Sequence, residues 1–465
     1  MNKKLLALIL VGIVSTASAA VVIDNATKVE MSIKNPIPAE KTAEKELRIY
    51  LEKIFGKHTP AAANKKIILE YDAKLGAEEF RIKSQNDGSL TISGGRPRGV
   101  LYGSYWFLDR KLGVHWLTPS VEYVPRKTRL ELGNINHFGK PAFASRLLLC
   151  LDDKFAARNL INVNSGSNKY PEEYGFTKFF GPAGFAHNLC RFIPPMKFFK
   201  KHPDIYALQR GKRRHGNATG ITASYCLTNP KLAEIVIGEA RKYLQANPNI
   251  TYCGIEEGDF TEGNCTCENC KAAELKYGKR VGGNWIEFAN RVSGALKNEF
   301  PNVTFKTFAY LSSKRPPVNI KANDNVAVHY CAWGQRFGLS YSDPRNQSGK
   351  DLIRDIKGWK KVSKHILIWD YVACMGNLIS NADNLQNIDN MKLFRDLGAD
   401  GVFPEGSSPE LSVFPVQHSA AGCSPVLCGI RMNVRAKNWS VLSAKNISVK
   451  KLEPRLQNIT KPTVM

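Results

Sequence analysis

From about residue 140 the chain settles into a repeating rhythm of short apolar runs separated by helical segments, and this constrains its fold more than any other feature. The runs are "RLLLCL" (146–151), "LINVN" (160–164), "ITYCGI" (250–255), "VTFKTFAY" (303–310), "VAVHYCAW" (326–333), "HILIWDYV" (365–372) and "DGVFPEG" (400–406). Between them lie helix-length stretches such as "PKLAEIVIGEARKYLQAN" and "GNWIEFANRVSGALKNEF". Strands that alternate with helices imply a parallel sheet. Seven such runs over this length suit a (β/α)8 barrel, with an open doubly wound sheet as the alternative. No Gly-x-Gly-x-x-Gly follows a strand, so nothing supports dinucleotide binding.

The preceding segment reads differently. "AEKELRIYLEKIFG" has helical spacing, "KKIILEY" is strand-like, and "EEFRIKSQNDGSLTISGG" reads as two strands about Asn86-Asp87-Gly88. "PRGVLYGSYWFLDRKLG" reads as a helix stopped by Gly113. The expected organisation is an α/β chain in four parts. A signal peptide occupies 1–19, a small α/β (α+β) domain 20–135, a (β/α)8 barrel 140–406, and a divergent tail 407–465. The tail is Ser-, Lys- and Asn-rich with weak periodicity, and the barrel is expected to be incomplete at that end.

The first residues, "MNKKLLALILVGIVSTASAA", combine a lysine pair, a short apolar run and a small-residue cleavage site. That layout predicts export to the periplasm or the extracellular space with no stable membrane anchor. The 465 residues are 43% hydrophobic and carry a formal charge of +25. The basic residues are scattered, and no nucleic-acid motif accompanies them, so anionic glycans or cell envelope suit the charge better than nucleic acid.

Polar residues collect at the ends of the predicted strands. Glu256, Glu257 and Asp259 end one; Tyr310 ends the next; Trp333, then Trp369, Asp370 and Tyr371, then Glu405 follow. Barrel enzymes carry their sites at these ends. Aromatic rings with carboxylates suit a sugar, because rings stack on its apolar face while paired acids with separated pKa values break the glycosidic bond. Strand alternation makes Glu256 the more natural inward residue. Just beyond, Cys265, Cys267 and Cys270 form C-x-C-x-x-C, which suits either a disulfide or a structural zinc, with no fourth ligand evident nearby. No catalytic metal or cofactor is expected.

Three blocks bear a family likeness: "GPAGFAHNLCRFIPPMKFFKKHPDIYAL" (181–208), "SYCLTNPKL" (224–232) and "GDFTEGNCTCENCKA". In them the chain resembles the exported bacterial proteins of domain of unknown function 4838, which overlap glycoside hydrolase family 163. The earlier segment through "GGRPRGVLYGSYWFLDRKLGVHWLTP" is similar to the small α/β domain preceding hexosaminidase and glucuronidase barrels. The resemblance implies endo-β-N-acetylglucosaminidase action on N-glycans by a substrate-assisted retaining mechanism. Under it Asp259 matches the family aspartate before the cysteines and would orient the 2-acetamido group; Glu256 and Glu257 stand where the family is less acidic and are this chain's own candidates, Glu257 as general acid and Glu256 able to take either role. His187 matches the family histidine. With Asn188 and His202 it joins the expected sugar-binding set of Tyr310, Trp333, Trp369, Asp370, Tyr371 and Glu405. The alternative expectations are a non-catalytic glycan-binding protein on the same scaffold and an inactive, truncated family member.

Overall fold

The computed structural model describes residues 20–59, 65–148, 152–164, 171–176, 179–180, 186–259, 263–333, 339–372 and 384–405. The expected signal peptide and tail lie outside these residues. The chain divides into two compact units, one holding residues up to Val114 together with Val124–Gly139, the other His115–Tyr123 and Lys140 onward. Among the described residues no helix is long and apolar enough to cross a membrane.

The first unit is a five-stranded mixed sheet with two helices. In chain order the elements are β1 (Lys28–Met31), α1 (Pro38–Phe55), β2 (Lys66–Tyr71), β3 (Phe80–Ser84), β4 (Leu90–Gly94), α2 (Gly99–Phe107) and β5 (Asn136–Gly139). The sheet order is β1-β2-β4-β3-β5. Helix α1 begins before its apolar periodicity does. Pro38 opens it, and the Glu40 carboxylate accepts the Ile37 N–H at 2.8 Å, which satisfies one of the donors a helix start leaves free. The β3–β4 hairpin turns where the sequence predicts: Gly88 takes φ 81° and Asp87 accepts from the Ser89 N–H at 2.9 Å. Because β5 pairs with β3, this unit runs to Gly139, past the expected edge at 135.

The second unit is built on a parallel sheet whose strands coincide with the seven apolar runs. These are β6 (Ser145–Leu148), β7 (Val163–Asn164), β8 (Tyr252–Gly254), β9 (Thr304–Ala309), β10 (Val326–Cys331), β11 (His365–Tyr371) and β12 (Gly401–Glu405). Their order is β7-β6-β12-β11-β10-β9-β8. The last strand thus pairs with the first, and among the described residues the seven strands form a parallel half-barrel with β7 and β8 at its two edges.

Alternation sorts each strand into two faces. Cys253, Ile255 and Phe305 point outward and pack on helices α3 (Pro230–Ala246) and α5 (Val281–Leu296). Those helices answer with Leu232, Val236, Ala240 and Leu244, and with Phe288, Val292 and Leu296, at helical spacing. Each large side chain so buried contributes about 1.5–3 kcal/mol. The inward residues Leu147, Phe308, Tyr310, Cys331, Trp369, Tyr371 and Phe403 form a separate apolar cluster inside the sheet's curve. Register stacks them in layers: Phe308 opposite His329, then Cys331, Trp369 and Phe403 in a row, then Tyr371 opposite Glu405. That last pair stands at the C-terminal ends of the strands.

Candidate active site

The three acids after β8 lie within one short stretch of chain, yet the fold sends each to a different place. Glu256 continues the inward face and is fully buried, where its carboxylate pairs with the ammonium of Lys306 on β9, itself fully buried. The Asn188 N–H also donates to Glu256, at 3.1 Å. Gly254 leaves room for this arrangement, since a Cβ there would come within 2.4 Å of the Asn188 amide and 2.5 Å of the Glu256 carboxylate. Glu256 and Asn188 therefore belong to a buried ion-pair network below the strand ends, and Lys306 is a partner that reading the sequence missed. The signal was a lone lysine in an otherwise apolar strand.

Glu257 turns the other way. Its side chain lines a cavity of about 20 Å3 shared with Tyr225, Cys265, Cys270 and Trp285, room for about one water. Ser313 Oγ donates to its Oε1 at 2.5 Å. Burial pushes the Glu257 carboxyl up to about 8, against the lowering effect of Ser313, so it holds a proton at neutral pH.

Asp259 reaches the strand ends. The chain gets there by a close crossing, in which Asp259 N–H donates to Ile221 O at 2.7 Å and a Cβ on Gly258 would lie 2.3 Å from that same oxygen. The Asp259 side chain is about a third exposed. Tyr310 donates to its Oδ1 at 3.2 Å. Burial, and then the Asp259 charge, raise the Tyr310 hydroxyl, which keeps it a donor.

His187 is fixed against the same two residues. Its Nδ1 lies 2.8 Å from the Glu257 carbonyl oxygen, an acceptor, so Nδ1 carries the proton. Nε2 is 3.9 Å from Asp259 Oδ1. The ring meets Phe308 edge-on at 5.2 Å, and the residue adopts φ 54°, a left-handed conformation that non-glycine residues seldom take outside constrained sites.

On the facing strands, Trp369 and Tyr371 stack at 5.8 Å, and Trp333, partly exposed, meets Tyr371 edge-on at 5.1 Å. The Trp369 indole N–H donates to Glu405 Oε2 at 2.9 Å. Burial raises the Glu405 carboxyl, the Trp369 hydrogen bond opposes that, and the Asp259 charge adds to it. Asp259, His187, Tyr310, Trp333, Trp369, Tyr371 and Glu405 thus converge. Besides Glu256, Glu257 and Asn188, two more expected residues do not join them. Asp370 points out of the sheet and accepts from the Tyr341 hydroxyl at 2.8 Å, because a strand cannot turn both Trp369 and its neighbour inward. His202 sits in the turn before Pro203–Ile205, its N–H donating to Phe198 O at 2.8 Å.

The three cysteines are brought together, and a fourth joins them. Sγ atoms of Cys226, Cys265, Cys267 and Cys270 all lie within 4.8 Å of one another. Cys226 comes from the "CLTNP" segment, too far along the chain for spacing to connect it with C-x-C-x-x-C.

A sequence model of the family described as a domain of unknown function, DUF4838, matches residues 116–422. The chain belongs to this family. No curated protein sequence matches it. Among solved structures, it is similar to a family GH115 4-O-methyl-α-glucuronidase with specificity for decorated arabinogalactans, at 11% identity and a TM-score of 0.49 over 86% of this chain; the chain spans 57% of that enzyme's length. It is also similar to the N-acetyl-β-hexosaminidase of Streptomyces plicatus, at 13% identity and a TM-score of 0.47, covering 92% of this chain and 93% of that one. The β-N-acetylhexosaminidase of Bacteroides fragilis is a third, at 11% identity and a TM-score of 0.42, covering 96% and 94%.

Proposed function

We propose that this DUF4838 protein is a glycoside hydrolase whose working carboxylates are Asp259 and Glu405. The observation that carries the reading is the contrast between them at the strand ends. Asp259 is partly solvated and accepts a hydrogen bond from Tyr310. Glu405 is half-buried, and that burial raises its carboxyl above the ordinary glutamate value. Glycosidic bond cleavage uses two carboxyls in unlike settings, one to give a proton and one to stay ionised. The Trp369–Tyr371 stack beside them offers the apolar surface that a sugar ring covers.

The substrate class is glycans containing N-acetylglucosamine, as the family resemblance implies. In the proposed reaction Glu405 gives its proton to the glycosidic oxygen as the C1–O bond breaks. The 2-acetamido oxygen of the substrate forms the new bond to C1, and Asp259 holds the amide N–H. Water then attacks C1, gives its proton to the Glu405 carboxylate, and restores the acetamido group with net retention. His187 and Trp333 flank this position. A groove of about 560 Å3 bordered by Trp333, Lys314 and Arg315 has room for further sugars, in keeping with endo action. Glu257, though protonated at neutral pH, faces a space with room for about one water and not for a sugar ring.

The test is incubation of the full chain with complex N-glycans, with released sugars followed by mass spectrometry. Product is expected from the unmodified protein, falling roughly 10²–10⁴-fold in Asp259→Asn and in Glu405→Gln. Glycan binding without product from folded protein, retained in both variants, would replace the enzyme with a binding protein.

A further inference from the structure

The four-cysteine cluster has no part in that reaction, and its geometry speaks for itself. Cys226 Sγ lies 3.6 Å from Cys267 Sγ and 3.8 Å from Cys270 Sγ. A disulfide would need about 2.05 Å. A tetrahedron of thiolates about 2.3 Å from a central ion has edges of about 3.8 Å. These two separations match the tetrahedron's edges, and all four sulfurs lie within 4.8 Å of one another. Three of the four cysteines are buried, and all described cysteines are free thiols.

The surroundings are those of a metal thiolate. Four thiolates around a divalent ion leave a net negative charge, which calls for donors and a cation. The Leu208 N–H donates to Cys265 Sγ at 3.3 Å, and Arg213 Nη1 reaches the same sulfur at 3.7 Å. The Thr228 hydroxyl is 3.1 Å from Cys270 Sγ. Such outer contacts orient thiolate ligands and offset their charge. The ligands also come from well-separated pieces of chain. Cys226 stands just before the Asn229 cap of α3, and Cys270 lies in the first turn of α4 (Glu268–Lys276). Cys265 leans on the short hairpin Leu208–Gln209/Lys212–Arg213.

We propose that Cys226, Cys265, Cys267 and Cys270 bind one zinc ion as a closed structural site. All four positions are taken by protein, so the ion has no open site for substrate, and its work is mechanical. It fastens the segment that follows Asp259 to the Leu208–Arg213 hairpin and to the starts of α3 and α4. The same segment is tied to the far side by Ser312 Oγ, which donates to Asn264 Oδ1 at 3.1 Å. Four sulfurs within 4.8 Å of one another suit a single ion rather than a multi-iron cluster, and zinc is the ion proposed.

The experiment reads metal rather than activity. Full-length protein purified without added metal is analysed by inductively coupled plasma mass spectrometry, and about one zinc per chain is expected. Exchange with cobalt(II) should produce the visible bands and sulfur charge-transfer absorption of a tetrahedral thiolate. In Cys226→Ala zinc affinity should fall by more than the roughly 10–100-fold that an outer-shell change causes, while Cys253→Ala, on the outward face of β8, should keep its zinc. Should Cys226→Ala fail to fold, the zinc content and cobalt spectrum of the unmodified protein still decide. Two disulfides among these four cysteines, iron in place of zinc, or protein that carries no stoichiometric metal and gives no thiolate spectrum with cobalt would each overturn the proposal.

Discussion

Glu256 and Asp259 stand three positions apart, and they show how differently one fold treats two carboxylates. The interior around Glu256 is closed: no water reaches it, a buried lysine answers its charge, and Phe180 and Phe308 rings lie 5.4 and 4.7 Å from that lysine's ammonium. The mouth around Asp259 is open, with a phenol, an imidazole and a second carboxyl near it and solvent above. A charge in the first setting is committed to the fold. A charge in the second is available to a ligand. The distinction rests on burial and partners, not on residue type, and it explains why an acid-rich stretch is a poor guide to which of its acids does chemistry.

The comparison breaks most visibly at Glu256. Glu256→Gln would leave the Lys306 cation buried without its countercharge, and losing one partner of such a pair costs about 3–5 kcal/mol. Asp259→Asn removes a partly solvated charge and one tyrosine hydrogen bond, so its cost should stay near 1 kcal/mol or below. Urea denaturation of the two variants measures both. Equal losses would mean that the interior and the mouth are not the separate environments described here.

Much of this fold was legible, and the reasons are physical. All seven apolar runs became strands of the parallel sheet, because short apolar segments between amphipathic helices have few other ways to be buried. The turn at Gly88 and the stop at Gly113, which takes φ 83°, were legible because such conformations favour glycine. The site was legible only in part. Period-two alternation already separates Trp369 from Asp370, so an inward Trp369 puts Asp370 outside. It also takes Glu256 inward, but says nothing of what waits there. Lys306 and Cys226 are brought to their partners by tertiary folding across long stretches of chain, and no local pattern links them. The zinc-like cluster therefore looked one ligand short in sequence and complete in space.

Glu257 sharpens the contrast in a second way, since it is buried with no countercharge among the described residues. Between the ordinary glutamate value of 4.5 and about 8, the unfolded chain ionises this group while the folded chain keeps its proton. The folded state then binds more protons, so Glu257 makes stability fall as pH rises through that window, by up to about 1.4 kcal/mol per pH unit. Its contribution is fully present below 4.5 and lost as pH passes about 8. Glu257→Gln should flatten this part of the stability profile, measured by denaturant titration at several pH values. An unchanged slope would place water or a cation beside the carboxylate.

The smallest effect bears on which carboxyl gives the proton. Trp369→Phe keeps a ring against Tyr371 but removes the indole N–H that donates to Glu405. That hydrogen bond favours the ionised carboxylate, so its loss should raise Glu405 further. If Glu405 is the proton donor, the alkaline limb of the kcat/KM profile should move to higher pH. The direction matters more than the size, because damage to packing alone would lower the whole profile without displacing its limb. If Glu257 were the donor instead, the limb would lie near 8, would stay in place in Trp369→Phe, and would vanish with the activity in Glu257→Gln. The two variants together therefore assign the proton to the open mouth or to the closed cavity behind it, which is the same division that separates Asp259 from Glu256.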